Sequence, residues 1–166
     1  MKLTASTVRL VMILVLTAAF APAGRAQSAA PVVEYGDRKV TLDAATWAKL
    51  PRQEMTAEDH GTKATFEGVL LRRVLALVNA PAGSEMKGEA LRLVVRVEAA
   101  DGYQAVFALV ELDPGFRDKP ILLADKRDGK ALPENARPFQ MVVGDEARAA
   151  RWVRQVTRIV VTSLPK

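Results

Sequence analysis

Apolar and polar residues alternate in several short stretches of the chain, and this alternation predicts a protein built mainly of β-strands. The clearest stretch, residues 91–98, places four apolar side chains on one face: Leu91, Leu93, Val95 and Val97. The Asp101-Gly102 pair then favours a tight turn, after which alternation resumes with Tyr103, Ala105, Phe107 and Leu109. We therefore predict a β-hairpin centred on this turn.

Other segments predict further short strands and a few helices. The predicted strands are a hairpin over 32–42, then 52–57, 62–67, 121–124, 139–143 and 156–161. Residues 69–78 show helical spacing, with Arg72 and Arg73 pointing outward. Asp43 and Asp145 are placed to cap two more short helices, one containing Trp47 and one containing Ala149, Trp152 and Val153. The pattern indicates an α+β domain of hairpins with two or three short helices.

The first 26 residues are typical of a secretory signal peptide. Lys2 and Arg9 precede an apolar run over residues 10–20, which is too short for a membrane span of about 20 residues. We predict cleavage after Ala26, with Ala23 as the second choice and an uncleaved membrane anchor as the alternative. The predicted organisation is then a signal over 1–26, a leader over 27–31 and a domain over 32–166, periplasmic or secreted, with no membrane span after cleavage.

Composition excludes several classes of function. The 24 basic and 19 acidic residues give a net charge of +5, and removing Lys2, Arg9 and Arg25 with the signal leaves +2. That charge is too low for the dense positive patch that nucleic-acid binding needs. The chain has no cysteine and one histidine, which excludes disulfides, thiolate metal sites and multi-histidine metal sites.

Five segments, taken in order, carry a resemblance to a known family. They are 65–71 (TFEGVLL), 100–113 (ADGYQAVFALVELD), 122–133 (LLADKRDGKALP), 137–143 (RPFQMVV) and 150–154 (ARWVR). In this order they resemble the oxidoreductase molybdopterin-binding domain, the core of the sulfite oxidase family, over about residues 66–161. The resemblance implies that fold, with molybdopterin as the family's cofactor.

Departures from the family pattern argue against molybdenum chemistry. The family holds molybdenum through a cysteine thiolate in the earlier half of the domain, and this chain has no cysteine and lacks most of that half. The family's Gly-x-Pro segment reads Ala136-Arg137-Pro138 here, and Gln140 stands where the following strand would carry arginine. The family's closing Lys-Trp pair is Arg151-Trp152, which keeps the charge.

The export route points the same way. The basic region of the signal contains no Arg-Arg pair, which favours export of an unfolded chain. Molybdopterin is normally inserted in the cytoplasm, so a chain exported unfolded would not carry it across. We therefore expect no cofactor, and keep molybdopterin as the alternative.

Individual polar residues each allow two interpretations. His60, in Glu58-Asp59-His60-Gly61, is either a metal or proton-transfer site or a turn residue bonded to its neighbours. Tyr103 either contacts a ligand in a cleft or packs against Phe107. Asp101 and Asp128 precede glycines and are explained by turn chemistry.

Arginines near the C-terminus are the other candidates. Arg148, Arg151 and Arg154 recur every third residue, with Arg137 nearby in sequence. They form either an anion site or a solvated helix face balanced by Asp145 and Glu146. We predict an anionic-ligand cleft between the 101–103 hairpin and the 137–154 segment, with Arg137, Arg151 and Tyr103 as cofactor-binding or ligand-binding residues and no catalytic or metal residue.

Three functional hypotheses remain at this point. The first is an exported, non-catalytic module of sulfite oxidase type that binds an anionic small molecule or an acidic protein partner. The second is a molybdopterin-dependent oxidoreductase. The third is a small structural subunit of a membrane or periplasmic redox complex.

Overall fold

The computed structural model describes residues 30–59 and 61–164, so the predicted signal peptide and His60 lie outside the described residues. Within those ranges the strands are β1 (Val32–Tyr35), β2 (Arg38–Thr41), β3 (Arg52–Asp59), β4 (Thr62–Leu70), β5 (Leu93–Ala99), β6 (Gln104–Ala108), β7 (Ile121–Arg127), β8 (Lys130–Ala131), β9 (Gln140–Val143) and β10 (Val156–Ser163). The α-helices are α1 (Ala44–Ala48) and α2 (Leu71–Leu75). Short 3₁₀ helices cover Ala76–Val78, Gly83–Glu85, Gly88–Arg92, Leu109–Leu112, Glu134–Ala136 and Ala149–Arg151.

The strands form two sheets that share one core. The first sheet has the order β2-β1-β10-β5-β6, in which β1 and β10 run parallel and the other neighbours run antiparallel. In the second sheet β4 lies between β3 and β7, and β7 also pairs with β8 and β9. A single cluster of buried side chains contains residues from both sheets. This arrangement of mixed sheets with a few short helices fits an α+β or mainly β class, in agreement with the coarse prediction.

Alternation predicted the strands of the first sheet well. In β5, Leu93, Val95 and Val97 are buried, and Ala105 and Phe107 of β6 are buried beside them. Leu91 is the exception, since it is 45% exposed in the 3₁₀ helix that precedes β5. The prediction that Leu91 belongs to the apolar face is therefore wrong, because the strand begins two residues later.

Helical patterns predicted the chain less well than strand patterns. Asp43 caps α1 as expected, accepting a hydrogen bond from the Thr46 amide at 2.7 Å. The helix predicted over 69–78 begins only at Leu71, because β4 continues to Leu70. No α-helix forms after Asp145, where the described chain has only the 3₁₀ helix Ala149–Arg151. None of the helices formed by the described residues is long and apolar enough to cross a bilayer.

One glycine allows the two central strands of the second sheet to come close together. At Gly68 in β4, an added Cβ would lie 2.1 Å from the carbonyl oxygen of Leu123 in β7. The pairing of these strands also shifts register between Glu67 and Gly68. A β-bulge beside a glycine is a common way to bend a strand over a core, and α2 begins at Leu71, directly after β4 ends.

A cleft between the hairpin turn and the β9–β10 loop

An open cleft of about 1210 Å³ lies between the β5–β6 turn and the loop that joins β9 to β10. Asp101 and Tyr103 contribute one wall, and residues 144–155 contribute most of the other. Glu58 and Asn135, from two further segments, also line it. The structure thus brings together the two segments between which the sequence predicts a cleft.

The β5–β6 turn is a tight turn built around Asp101 and Gly102. Gly102 has a φ of +87°, a backbone conformation that glycine adopts readily. The Asp101 carboxylate accepts a hydrogen bond from the Tyr103 amide at 2.9 Å, and the Ala99 amide donates to the Tyr103 carbonyl at 2.9 Å. Asp128 lies in the β7–β8 turn with a φ of +50°, and its carboxylate accepts a hydrogen bond from the amide of Thr65 on the neighbouring strand β4 at 2.9 Å. The turn interpretation of both aspartates is confirmed.

Tyr103 reaches from this turn to the opposite wall. Its side chain is 50% exposed and lines the cleft, and its hydroxyl donates a hydrogen bond to the Ala150 carbonyl at 2.6 Å. Phe107 is fully buried, and the Arg151 guanidinium lies 4.5 Å from the centre of its ring. The expected packing of Tyr103 on Phe107 is therefore wrong, because Tyr103 precedes β6 and turns toward the loop.

Arg151 lies behind the cleft wall, half-buried, and its guanidinium is occupied by protein groups. Its Nε donates to Glu146 at 2.6 Å, and Nη2 lies 3.4 Å from a Glu111 carboxylate oxygen. Nη1 donates to the Val106 carbonyl at 3.3 Å on the outer edge of β6. Burial disfavours the charge, but the contacts with Glu146 and Glu111 outweigh it and raise the pKa of Arg151.

A second arginine, Arg117, binds the same loop at Asp145, the residue before Glu146. Arg117 donates to both oxygens of Asp145, at 2.5 and 2.7 Å, and to Glu111 at 3.2 Å. The hydrogen bonds from Arg117 hold the pKa of Asp145 below its usual value. Asp145 is therefore not a helix cap, and the prediction of a capped helix is wrong because this carboxylate is bound by Arg117.

Trp152 anchors the loop to the core, as the sequence indicates. It is buried, its ring meets Phe66 edge-on with centroids 5.5 Å apart, and its indole N–H donates to the Val143 carbonyl at 3.1 Å. One side of the residue also lines the cleft. The wall therefore has a rigid aromatic base.

Of the three predicted ligand-binding residues, only Tyr103 lines the cleft. Arg151 is next to it, with its guanidinium engaged behind the wall. Arg137 is outside the lining residues, is exposed, and its Nε donates to the Leu132 carbonyl. Their role in ligand binding stays a prediction. Gln140 also lies outside the lining, buried within β9.

Arg148 and Arg154 are the basic residues on the cleft surface. Arg148 is exposed and makes no hydrogen bond or ion pair with the side chains described in 30–58 and 61–164. Arg154 is also exposed, but it has a partner. The solvated-helix interpretation of the Arg148, Arg151 and Arg154 series is wrong in its geometry, because the chain here is a loop and Arg151 turns away from solvent.

The charges of the cleft are mixed rather than uniformly positive. Among the side chains that the structure describes, four carboxylates line it, from Glu58, Asp101, Asp145 and Glu146. Asp145 and Glu146 are each neutralised by an arginine from behind the wall. Glu58 was noted in the sequence only as a neighbour of His60, and neither it nor Asn135 was predicted at this cleft, since they come from distant segments that only the fold brings together.

The described residues do not fit molybdenum as the family binds it. The sequence provides no thiolate. Residues 30–59 and 61–164 contain no group of three histidine, cysteine or acidic side chains arranged to hold a metal ion. Because soft thiolate ligation is not readily replaced by carboxylate, no step of a molybdenum reaction can be assigned to this cleft.

Comparison with known proteins supports the fold. No family model matches the chain, and no curated protein matches it. Among solved structures, the sulfane dehydrogenase SoxCD from Paracoccus pantotrophus is similar, with a TM-score of 0.60 and 17% sequence identity. The similarity covers 84% of this chain but 40% of that one, so this chain spans less than half its length. At this identity the likeness shows the fold alone, consistent with the predicted sulfite oxidase-like fold.

Proposed function

We propose that this protein is an exported, non-catalytic binding module of sulfite oxidase-like fold, whose cleft takes a small ligand with an anionic group. The single observation that carries the proposal is Arg148, an exposed cation on the cleft wall that makes no hydrogen bond or ion pair with the side chains the structure describes. An arginine in this state is available to form a forked, charge-assisted contact with a carboxylate or phosphate.

The surroundings of Arg148 support an anionic group there. Asp145 and Glu146, on the same wall, are paired with Arg117 and Arg151, so their charge is compensated locally. Glu58 and Asp101 keep the whole cleft close to neutral, which favours a ligand of low net charge over a polyanion. The exposed ring of Tyr103 adds apolar surface to the opposite wall.

Two measurements test the proposal. Protein purified from its native compartment is analysed for metals and retained small molecules. Inorganic phosphate is then titrated as a probe, with the fluorescence of Trp152 as the signal in a Trp47→Phe background. Arg148→Gln is expected to weaken phosphate binding about tenfold, as loss of a charged contact does. The matched control Arg73→Gln, on α2 and outside the cleft, leaves it unchanged. Equal affinity in both variants would reject the proposal.

A second candidate function follows from the fold similarity to sulfane dehydrogenase SoxCD. Here the protein would be a molybdopterin-dependent oxidoreductase or a small subunit of a periplasmic redox complex. Stoichiometric molybdenum in the native protein would establish the oxidoreductase and end the non-catalytic proposal. Co-purification with a redox partner would favour the subunit, whereas a monomer that retains a small molecule would favour the binding module.

A further inference from the structure

We infer that Arg151 is a positioning residue, which holds the wall segment carrying Arg148 in place instead of contacting the ligand. This inference rests on the proposed binding function for the role of Arg148. It reverses the sequence-based expectation, in which Arg151 itself binds the ligand.

The contacts of Arg151 leave it little capacity for a ligand. Its three guanidinium nitrogens face Glu146, Glu111 and the Val106 carbonyl, and one face of the group covers the ring of Phe107. Arginine has five N–H donors in a fixed fork, and here they point at groups from three different segments of the chain. A ligand could recruit Arg151 only if it displaced contacts that already satisfy the charge.

The same contacts fix the wall on both sides of Arg148. On the N-terminal side of Arg148, Arg117 binds Asp145 and Arg151 binds Glu146. On its C-terminal side, the Ala150 carbonyl accepts a hydrogen bond from the Tyr103 hydroxyl. The segment between has only the first residues of one short 3₁₀ helix to order it. Its conformation therefore depends on side-chain contacts at its ends, and Arg151 provides the contact that also reaches β6.

The contact with β6 sets Arg151 apart from an ordinary surface ion pair. Its Nη1 donates to the backbone of Val106, on a strand that has a partner on one side only within the described sheet. Lysine at position 151 could keep the ion pair with Glu146 but not the simultaneous contacts with Glu111 and Val106. A positioning role thus predicts that lysine restores the wild-type behaviour only in part. A role as a simple counter-charge would predict full restoration, because lysine keeps the positive charge.

Amide hydrogen exchange of residues 144–150 in the full chain, combined with phosphate titration, tests the inference. In Arg151→Gln we expect exchange in this segment to be about tenfold faster, with β5 and β10 unchanged, and phosphate binding to weaken. Arg151→Lys should give intermediate values of both. Arg148→Gln should weaken phosphate binding and leave exchange as in the wild type.

The matched control is Arg158→Gln, which removes another half-buried arginine held by two glutamates but leaves the cleft wall untouched. It should change neither exchange in 144–150 nor phosphate binding. If Arg151→Gln destabilises the whole domain, Arg151→Lys, which keeps the charge but not the contacts with Glu111 and Val106, gives the local readout in a milder variant.

The outcomes separate this inference from the proposed function. Weaker phosphate binding in Arg151→Gln with unchanged exchange would make Arg151 a ligand contact and overturn the inference. Unchanged exchange and unchanged binding would also overturn it. If the wild-type protein binds no phosphate, the anion proposal fails on its own, while faster exchange in Arg151→Gln with partial rescue by lysine still supports positioning of the wall.

Discussion

Arg158 and Arg151 occupy similar electrostatic settings in very different parts of the fold. Arg158 lies in β10 between Glu34, at 2.5 Å, and Glu98, at 3.5 Å. Arg151 lies in the β9–β10 loop between Glu146 and Glu111. Both arginines are half-buried and both bridge segments that are far apart in sequence.

The difference lies in what else fixes the backbone. Arg158 and Glu98 are cross-strand neighbours, and the strand around Arg158 is already paired on both sides. The backbone near Arg151 has no continuous ladder; separate bonds, such as those from the Trp152 amide to the Ala149 carbonyl at 3.1 Å and from the Met141 amide to the Val153 carbonyl at 2.8 Å, hold it together with the ion pairs. We therefore expect the same pair of charges to add modest stability on the sheet and to affect conformation more strongly in the loop.

The largest effect should come from removing the aromatic base of the loop. Trp152→Ala deletes a buried side chain that packs on Phe66 and donates to the Val143 carbonyl. We expect a loss of about 3–5 kcal/mol in the free energy of unfolding, measured by urea denaturation. Trp47→Phe, which keeps an aromatic ring at the other tryptophan, is the milder comparison. A loss near 1 kcal/mol for Trp152→Ala would show that the loop is not anchored through this residue.

The two arginines themselves give the next effect. Arg151→Gln should cost about 2 kcal/mol, because it leaves the half-buried Glu146 without its arginine, leaves Glu111 with Arg117 alone and uncovers Phe107. Arg158→Gln should cost about 1 kcal/mol or less, since the strand keeps its backbone pairing. Chemical denaturation of both variants under the same conditions measures the two losses in the free energy of unfolding. Equal losses would show that the loop arginine contributes no more to stability than the sheet arginine does.

Acid should weaken the sheet pair over a defined pH range. The hydrogen bond from Arg158, with a contribution from Lys39, lowers the pKa of Glu34 from 4.5 to about 2. A lowered pKa in the folded state gives stability that is present above pH 4.5 and lost as the pH falls toward 2. The stability difference between wild type and Glu34→Gln should therefore shrink over this range from about 1 kcal/mol. A difference that is constant from pH 7 to pH 2.5 would contradict this assignment.

The smallest predicted effect concerns the hydrogen bond across the cleft. Tyr103→Phe removes the hydroxyl that donates to the Ala150 carbonyl and keeps the ring. Both groups are open to solvent, so we expect a loss of about 0.5–1 kcal/mol in the free energy of unfolding. Exchange at Ala150 and Arg151 should increase more clearly than global unfolding does. Unchanged exchange at these amides would show that the wall is held from the Arg151 side alone.

Sequence reasoning predicted most of the sheets because their signals are local. Alternation identified β5 and β6, and glycine-containing turns at Asp101-Gly102 and Asp128-Gly129 located two hairpins. It failed at β9, where alternation was expected from Phe139 to Val143, but all four strand residues are buried. A strand covered on both faces loses the period of two on which such a prediction depends.

The cleft was predicted in position but not in detail. The turn at residues 101–103 and the segment rich in arginine were identifiable, and the structure brings them together. The sequence did not identify which arginine faces the cleft. The prediction assumed helical spacing in this segment, whereas Asp145 binds Arg117 and no α-helix forms there. Contacts between Arg151 and Glu111 join residues 40 positions apart and leave no periodic trace in the sequence.

The pairing of β1 with β10 has a consequence for how the domain is made. Val32 is the register partner of Arg158 and Tyr35 that of Val161, so the centre of the first sheet joins the earliest described strand to the last. A chain that emerges from its N-terminus cannot complete this sheet until β10 has followed, and such distant pairing slows folding. We therefore expect the domain to assemble only once nearly all of the chain has been made, with the β1–β2 hairpin lacking its β10 neighbour until then.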